Sequence, residues 1–205
     1  MTREDLQRVH RVTDNFFFWQ GLRWVPMGAA LLACAGAFSP RLGVPSPLRE
    51  WVAGLSLAAA LWLSTSVFGR YYSGHFGRVH GDPSRHVLRT YVKWFVVCPA
   101  IVGAILLDSR FQPPLILSGV ALAIAIEAYR QSTGGGRIHY IVASAGLAAF
   151  SILPVAGLTS PGRSSLTPLI GILGLIYIVG GMLDHRELVR MLAPPIREEP
   201  DGSSV

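Results

Sequence analysis

Residues Leu166 to Leu183 read LTPLIGILGLIYIVGGML, an apolar run without a single charge, closed by Asp184, His185, Arg186 and Glu187. A helix needs about 17 to 25 residues to cross a bilayer, and this run supplies them. It does not alternate apolar and polar residues as a barrel strand would. Helix is the consistent assignment, because a helix satisfies its own backbone hydrogen bonds in lipid.

Five further blocks of the same kind precede it. They cover about 21–39, 51–69, 90–107, 111–129 and 138–157. The block at 111–129 is the shortest in apolar content, and Pro113 and Pro114 are placed in its first turn, where proline is tolerated. The fold class expected is all-α: an integral membrane bundle of six transmembrane helices over 21–193. An N-terminal amphipathic interfacial helix over 1–20 precedes it, and a disordered cytosolic tail over 194–205 follows.

The basic residues orient the bundle. With the N-terminus inside, cytosolic segments hold Arg3, Arg8, Arg11 and Arg23, then Arg70, Arg78, Arg85, Arg89 and Lys93. Arg130, Arg137, Arg186, Arg190 and Arg197 complete the set, 14 of the 18 Lys and Arg. Only Arg41, Arg49, Arg110 and Arg163 fall on the other side. This alternates at every loop as the positive-inside rule requires, with both termini cytosolic. The net charge of +6 is therefore read as cytosolic loops facing anionic lipid, and not as nucleic-acid binding.

In 2–20, Leu6, Val9, Thr13, Phe16, Phe17 and Gln20 recur at helical spacing, with Phe16 to Trp19 as a headgroup-level aromatic belt. Between the second and third spans, a helix is expected to stop near Gly74 and a new one to start at Asp82-Pro83, running unbroken to Leu107. Arg85, Arg89 and Lys93, spaced by four, then form one basic stripe. With Arg78 they are the candidate contact residues for anionic headgroups or a protein partner.

Little else suggests chemistry. No ionisable residue falls at mid-span: Arg23 and Lys93 can snorkel, and Glu127 can pair with Arg130 one turn away. His10, His75, His80, His86, His139 and His185 all fall on the cytosolic side, but their spacing matches no metal motif. Asp184-His185 has the composition of an acid–base pair, which a helix flank explains as well. Gly134-Gly135-Gly136-Arg137 lacks the Lys-Ser/Thr of a phosphate loop. Cys34 and Cys98 lie in apolar blocks and read as packing residues, and no cofactor or metal site is assigned. Residues four apart, Ala29/Ala33/Ala37, Gly54/Ala58 and Ala145/Ala149, read as helix-packing faces. The two three-span halves show no matched Gly and Pro positions of an inverted repeat.

The stretches FFFWQGLRWVPMG (Phe16–Gly28) and FGRYYSGHFGRV (Phe68–Val79) resemble small multi-pass proteins of bacterial membranes that carry no assigned activity. The resemblance implies a bacterial inner membrane and transfers no site. Three classes of function stay open: a binding or accessory membrane protein with a basic cytosolic face, the membrane subunit of an ATP-driven permease with a separate motor chain, and a membrane enzyme acting on lipid through cytosolic histidines.

Overall fold

The computed structural model describes residues 16, 20–76, 84–111, 116–132, 137–152 and 166–192; the side chains of 84–94, 109–111, 116, 132 and 166 are not described. Among the described residues there are six long helices and no strand. A 3-10 turn, Gly21–Arg23, leads into α1 (Val25–Ala37), with Pro26 in its first turn. The helix α2 runs over Ser46–His75. Then follow α3 (Ser84–Phe111), α4 (Ile116–Ser132), α5 (Ile138–Ile152) and α6 (Leu166–Leu192). The all-α class is as the sequence predicts. By length and composition, α2 and the Thr167–Leu192 part of α6 can cross a membrane; Gly21–Ala37, Phe95–Asp108 and Ile138–Ile152 are shorter apolar helices.

Several boundaries move. The last helix continues nine residues beyond the expected Leu183, to Leu192. Phe111 closes α3 and does not open α4, which starts at Ile116. Apolar blocks mark where lipid-compatible side chains end, whereas helical hydrogen bonding runs on through polar residues such as Arg186 and Glu187. The expected interfacial helix lies outside the described residues except Phe16, which is helical and buried, and Gln20. The expected tail lies outside them entirely.

Two features set the course of α2 and α3. Residues Leu63–Val67 of α2 form a π-helical turn, in which the Phe68 N–H bonds the Leu63 carbonyl. Ser64 Oγ donates from this turn to the Arg23 carbonyl at 2.5 Å, tying α2 to the start of α1. In α3, Pro99 sits inside the helix, where it removes one backbone donor. Near the far end of α3, the Asp108 carboxylate accepts from Ser118 N–H and Ser118 Oγ, both at 2.6 Å. It thereby caps the orphan amides that open α4.

The helices form two groups. In one, α1 packs between α2 and α6; in the other, α3, α4 and α5 pack in chain order, and α5 meets α6. The α1–α6 seam is antiparallel and has backbone in contact with backbone. A Cβ on Gly28 would lie 2.5 Å from the Gly174 carbonyl oxygen, and one on Gly21 would lie 2.0 Å from that of Gly181. The paired glycines are seven residues apart on each helix, two helical turns. In α4 and α5, Gly119 faces Ser151, beside a core of Ala123, Leu147 and Leu169. The expected small-residue faces are corrected: Ala29, Ala33, Gly54, Ala58, Ala145 and Ala149 are exposed, and of that set only Ala37 is buried. Spacing alone does not say which side of a helix meets a neighbour, and the glycines at 21, 28, 174 and 181 hold the close contact instead.

Candidate functional site: a buried polar layer around Asp184

The start of α1, the end of α2, the end of α4, the start of α5 and the end of α6 share one end of the bundle, called proximal below. Among the described residues, the buried Gln20, Arg137 and Asp184 lie at this end, while Asp108, Ser118 and Ser151 lie at the other. The arrangement begins with Gly180 and Gly181, which leave no side chain between α6 and its neighbours. Gly180 faces the Tyr140 ring, where a Cβ would lie 3.4 Å from the hydroxyl oxygen, and Gly181 faces Gly21. One turn further on, Asp184 is fully buried.

A buried carboxylate is costly unless its charge and lone pairs are met. Those of Asp184 are met almost entirely from the first turn of α5. Arg137 Nη1 donates to Oδ2 at 2.7 Å, and Tyr140 Oη donates to the same oxygen at 2.7 Å. His139 Nε2 lies 3.1 Å from Oδ1. Arg137 is as buried as its partner, whereas the His139 side chain is 18% exposed. Arg137 Cζ also stands 6.0 Å from the Tyr140 ring centroid. From α4, Tyr129 adds a hydrogen bond with Arg137, and its ring packs edge-on to Tyr140 at 5.4 Å.

The next residue of α6 turns to the other helix group. His185 Nδ1 lies 3.0 Å from Tyr72 Oη, and the same hydroxyl accepts from the Leu22 N–H at 3.1 Å. Tyr72 and Leu188 are buried with Phe16, and Leu22, Tyr71, Phe76 and Met191 pack around them. Close by in sequence, Gln20 is 6% exposed, and its Oε1 has no hydrogen-bond partner among the described residues. Tyr72 thus joins three elements through one hydroxyl. Tyr72→Phe keeps the ring and strands the Leu22 amide, so a loss of about 1–2 kcal/mol is expected, read as an earlier thermal transition of the detergent-purified protein.

Chemically, three of the roughly four acceptor positions of Asp184 are taken by protein donors. Through these bonds the carboxylate ties the start of α5 to the end of α6. Among the described residues, no three His, Cys, Asp or Glu side chains gather as a metal set.

Of the contact residues expected from the sequence, Arg78 lies outside the described residues. Arg85, Arg89 and Lys93 fall in the α3 helix, where spacing by four places them on one face; their side chains are not described. Glu127 pairs with Arg130 as expected, with Arg130 Nε 2.7 Å from Glu127 Oε2. His10 and His80 lie outside the described residues, and His86 is placed by backbone alone. His75 is exposed, with its ring 4.4 Å from that of Tyr71. His139 and His185 face different partners on either side of the layer. Arg137, Tyr140, Tyr72 and the burial of Asp184 are not anticipated by hydropathy. The usable signal was the continuing four-residue period Gly180, Asp184, Leu188, all buried on α6, which runs through what reads as a polar flank.

No protein family, curated protein or solved structure matches this chain.

Proposed function

We propose that the chain is a bacterial inner-membrane protein whose six helices cross the bilayer, with the proximal end in the cytosol. On this reading it serves as a binding or accessory protein through a basic cytosolic face. The carrying observation is an inverted distribution of polarity. Only 6% of the most apolar stretch of α2 is buried. Trp51 is 67% exposed, Trp62 61% and Phe95 81%, while Asp184, Arg137 and Asp108 are inside. In water this would strand a large apolar surface, at about 25 cal/mol per Å². In hydrocarbon the same surface needs no cover, and polar groups belong in the interior.

By the positive-inside assignment, Arg78, Arg85, Arg89 and Lys93 belong to cytosolic segments of the sequence, as do Arg70, Arg130 and Arg186. Each basic group near an anionic surface contributes about 1 kcal/mol. Changing the four to Gln is expected to cut retention of phosphatidylglycerol over phosphatidylcholine on the purified protein several-fold. Unchanged retention, together with unchanged partner capture, rejects this face. The placement of the helices is checked separately, with cysteines at Arg41 and at Arg130. Impermeant maleimide added to whole cells whose outer membrane is opened should label the first and spare the second.

One observation favours the second reading, the membrane subunit of a transporter. The two helix groups meet along a seam between α5 and α6 that is apolar at one end and closed by Asp184 at the other. A separate ATPase motor co-purifying with the chain supports it. For the lipid-enzyme reading, His139 is engaged by Asp184 and His185 by Tyr72, so these two histidines give it no support.

A further inference from the structure

We propose that Asp184 with Arg137, His139 and Tyr140 is a latch. It fastens the α3–α5 group to the α1–α2–α6 group at the cytosolic end, and its release opens the seam there. The proposal deepens the transporter reading and rests on the six-span placement.

The two ends of the seam differ in kind. At the distal end, Leu169 and Ile172 of α6 pack on Ala123 and Leu147, a contact without direction that tolerates small rotations. Fifteen residues along α6, about 22 Å at 1.5 Å per residue, the contact is made instead by directional bonds from one short stretch of α5 to one carboxylate. Between them, on the stripe that joins Tyr140 to Leu147, stands the small, half-buried Ala143. One end is therefore built as a pivot and the other as a catch.

The energetics suit a catch that lets go. A buried ion pair adds little net stability, because the attraction between its charges is offset by their lost hydration. Removing one charge strands the other. Separating both into water together returns both hydration shells, so the closed and open forms lie near balance. Solvent already reaches the edge of the cluster, where His139 is partly exposed. On the other side, the neighbouring His185 bonds the Tyr72 hydroxyl, which also accepts from the Leu22 N–H, so α6 stays with its own group when the latch opens.

The test places a single cysteine, Ala143→Cys, in a Cys34→Ala, Cys98→Ala background in proteoliposomes and measures its reaction with a water-soluble maleimide. Arg137→Gln and Asp184→Asn are each expected to raise the labelling rate about tenfold. The charge exchange Arg137→Asp with Asp184→Arg is expected to bring it back toward the parent rate. A cysteine at the pivot, Leu169→Cys, should stay unreactive throughout. Unchanged labelling at Ala143→Cys overturns the latch, and so does an equal rise at Leu169→Cys, which reports general loosening. If neither single variant folds, Tyr140→Phe carries the test: it removes one donor, keeps both charges, and should give a smaller rise at Ala143→Cys alone. Failure of the six-span placement shows differently, as rapid labelling of Trp62→Cys in a protein with its latch intact.

Discussion

Asp184→Ala is expected to destabilise the protein by about 3–5 kcal/mol, the usual cost of breaking a buried ion pair from one side. Arg137 is buried with its partner, so the substitution takes the Asp184 carboxylate away from a guanidinium that is nearly closed off from solvent. Tyr140 and His139 lose their acceptor in the same step. Asp184→Asn keeps the shape and one acceptor oxygen and should cost less. Replacing both charges, Asp184→Leu with Arg137→Leu, should recover much of the loss, because no unpaired charge remains. Thermal unfolding in one detergent, followed by loss of the monodisperse species, ranks the three. If the double replacement is no better than Asp184→Ala, the charges are not what the site depends on.

Gly28→Val should be comparably damaging for a different reason. Even the first carbon of a side chain there would come within 2.5 Å of the Gly174 carbonyl oxygen and 2.7 Å of Ile178. Neither backbone can move aside without parting α1 from α6. Overpacking of this kind costs about 1–3 kcal/mol, and valine adds two more carbons. Helices in lipid gain no hydrophobic drive from meeting each other; close van der Waals approach through small residues holds them. Once the helices are forced apart, a second substitution meets less resistance. Gly28→Ala with Gly174→Ala should therefore cost less than the sum of the singles. Gly54→Ala is the control: nothing stands within 4 Å of its Cβ position, and the change should stabilise α2 by up to about 1 kcal/mol.

The six helices were legible because an apolar block of span length leaves few alternatives, and α2 and α3 end and begin close to where Gly74 and Asp82-Pro83 place them. Their neighbours were not legible. Hydropathy is uniform around α1, so the alanines at 29 and 33 look as suited to packing as the glycines at 21 and 28. Only the partner helix distinguishes them. The polar layer was hidden for a related reason. Arg137 follows three glycines and reads as a turn residue, while Asp184 follows an apolar run and reads as a solvated flank. Each has an ordinary explanation alone, and 47 residues separate them. The stripe expected at Arg85, Arg89 and Lys93 rests on their spacing in a helix whose backbone runs through all three.

The wide turn at Leu63–Val67 has a consequence for phase. An inserted residue in a helix rotates everything beyond it by about 100°. Tyr72 and Phe76 point inward because α2 takes that extra step before reaching them. Tightening this turn to α geometry with the sequence unchanged would swing the Tyr72 hydroxyl away from Leu22 and His185, whereas deleting one of its residues would remove the extra step and leave Tyr72 in phase. A one-codon deletion inside Leu63–Val67 is therefore expected to be borne better than one in the regular helix on either side, where nothing absorbs the change of phase.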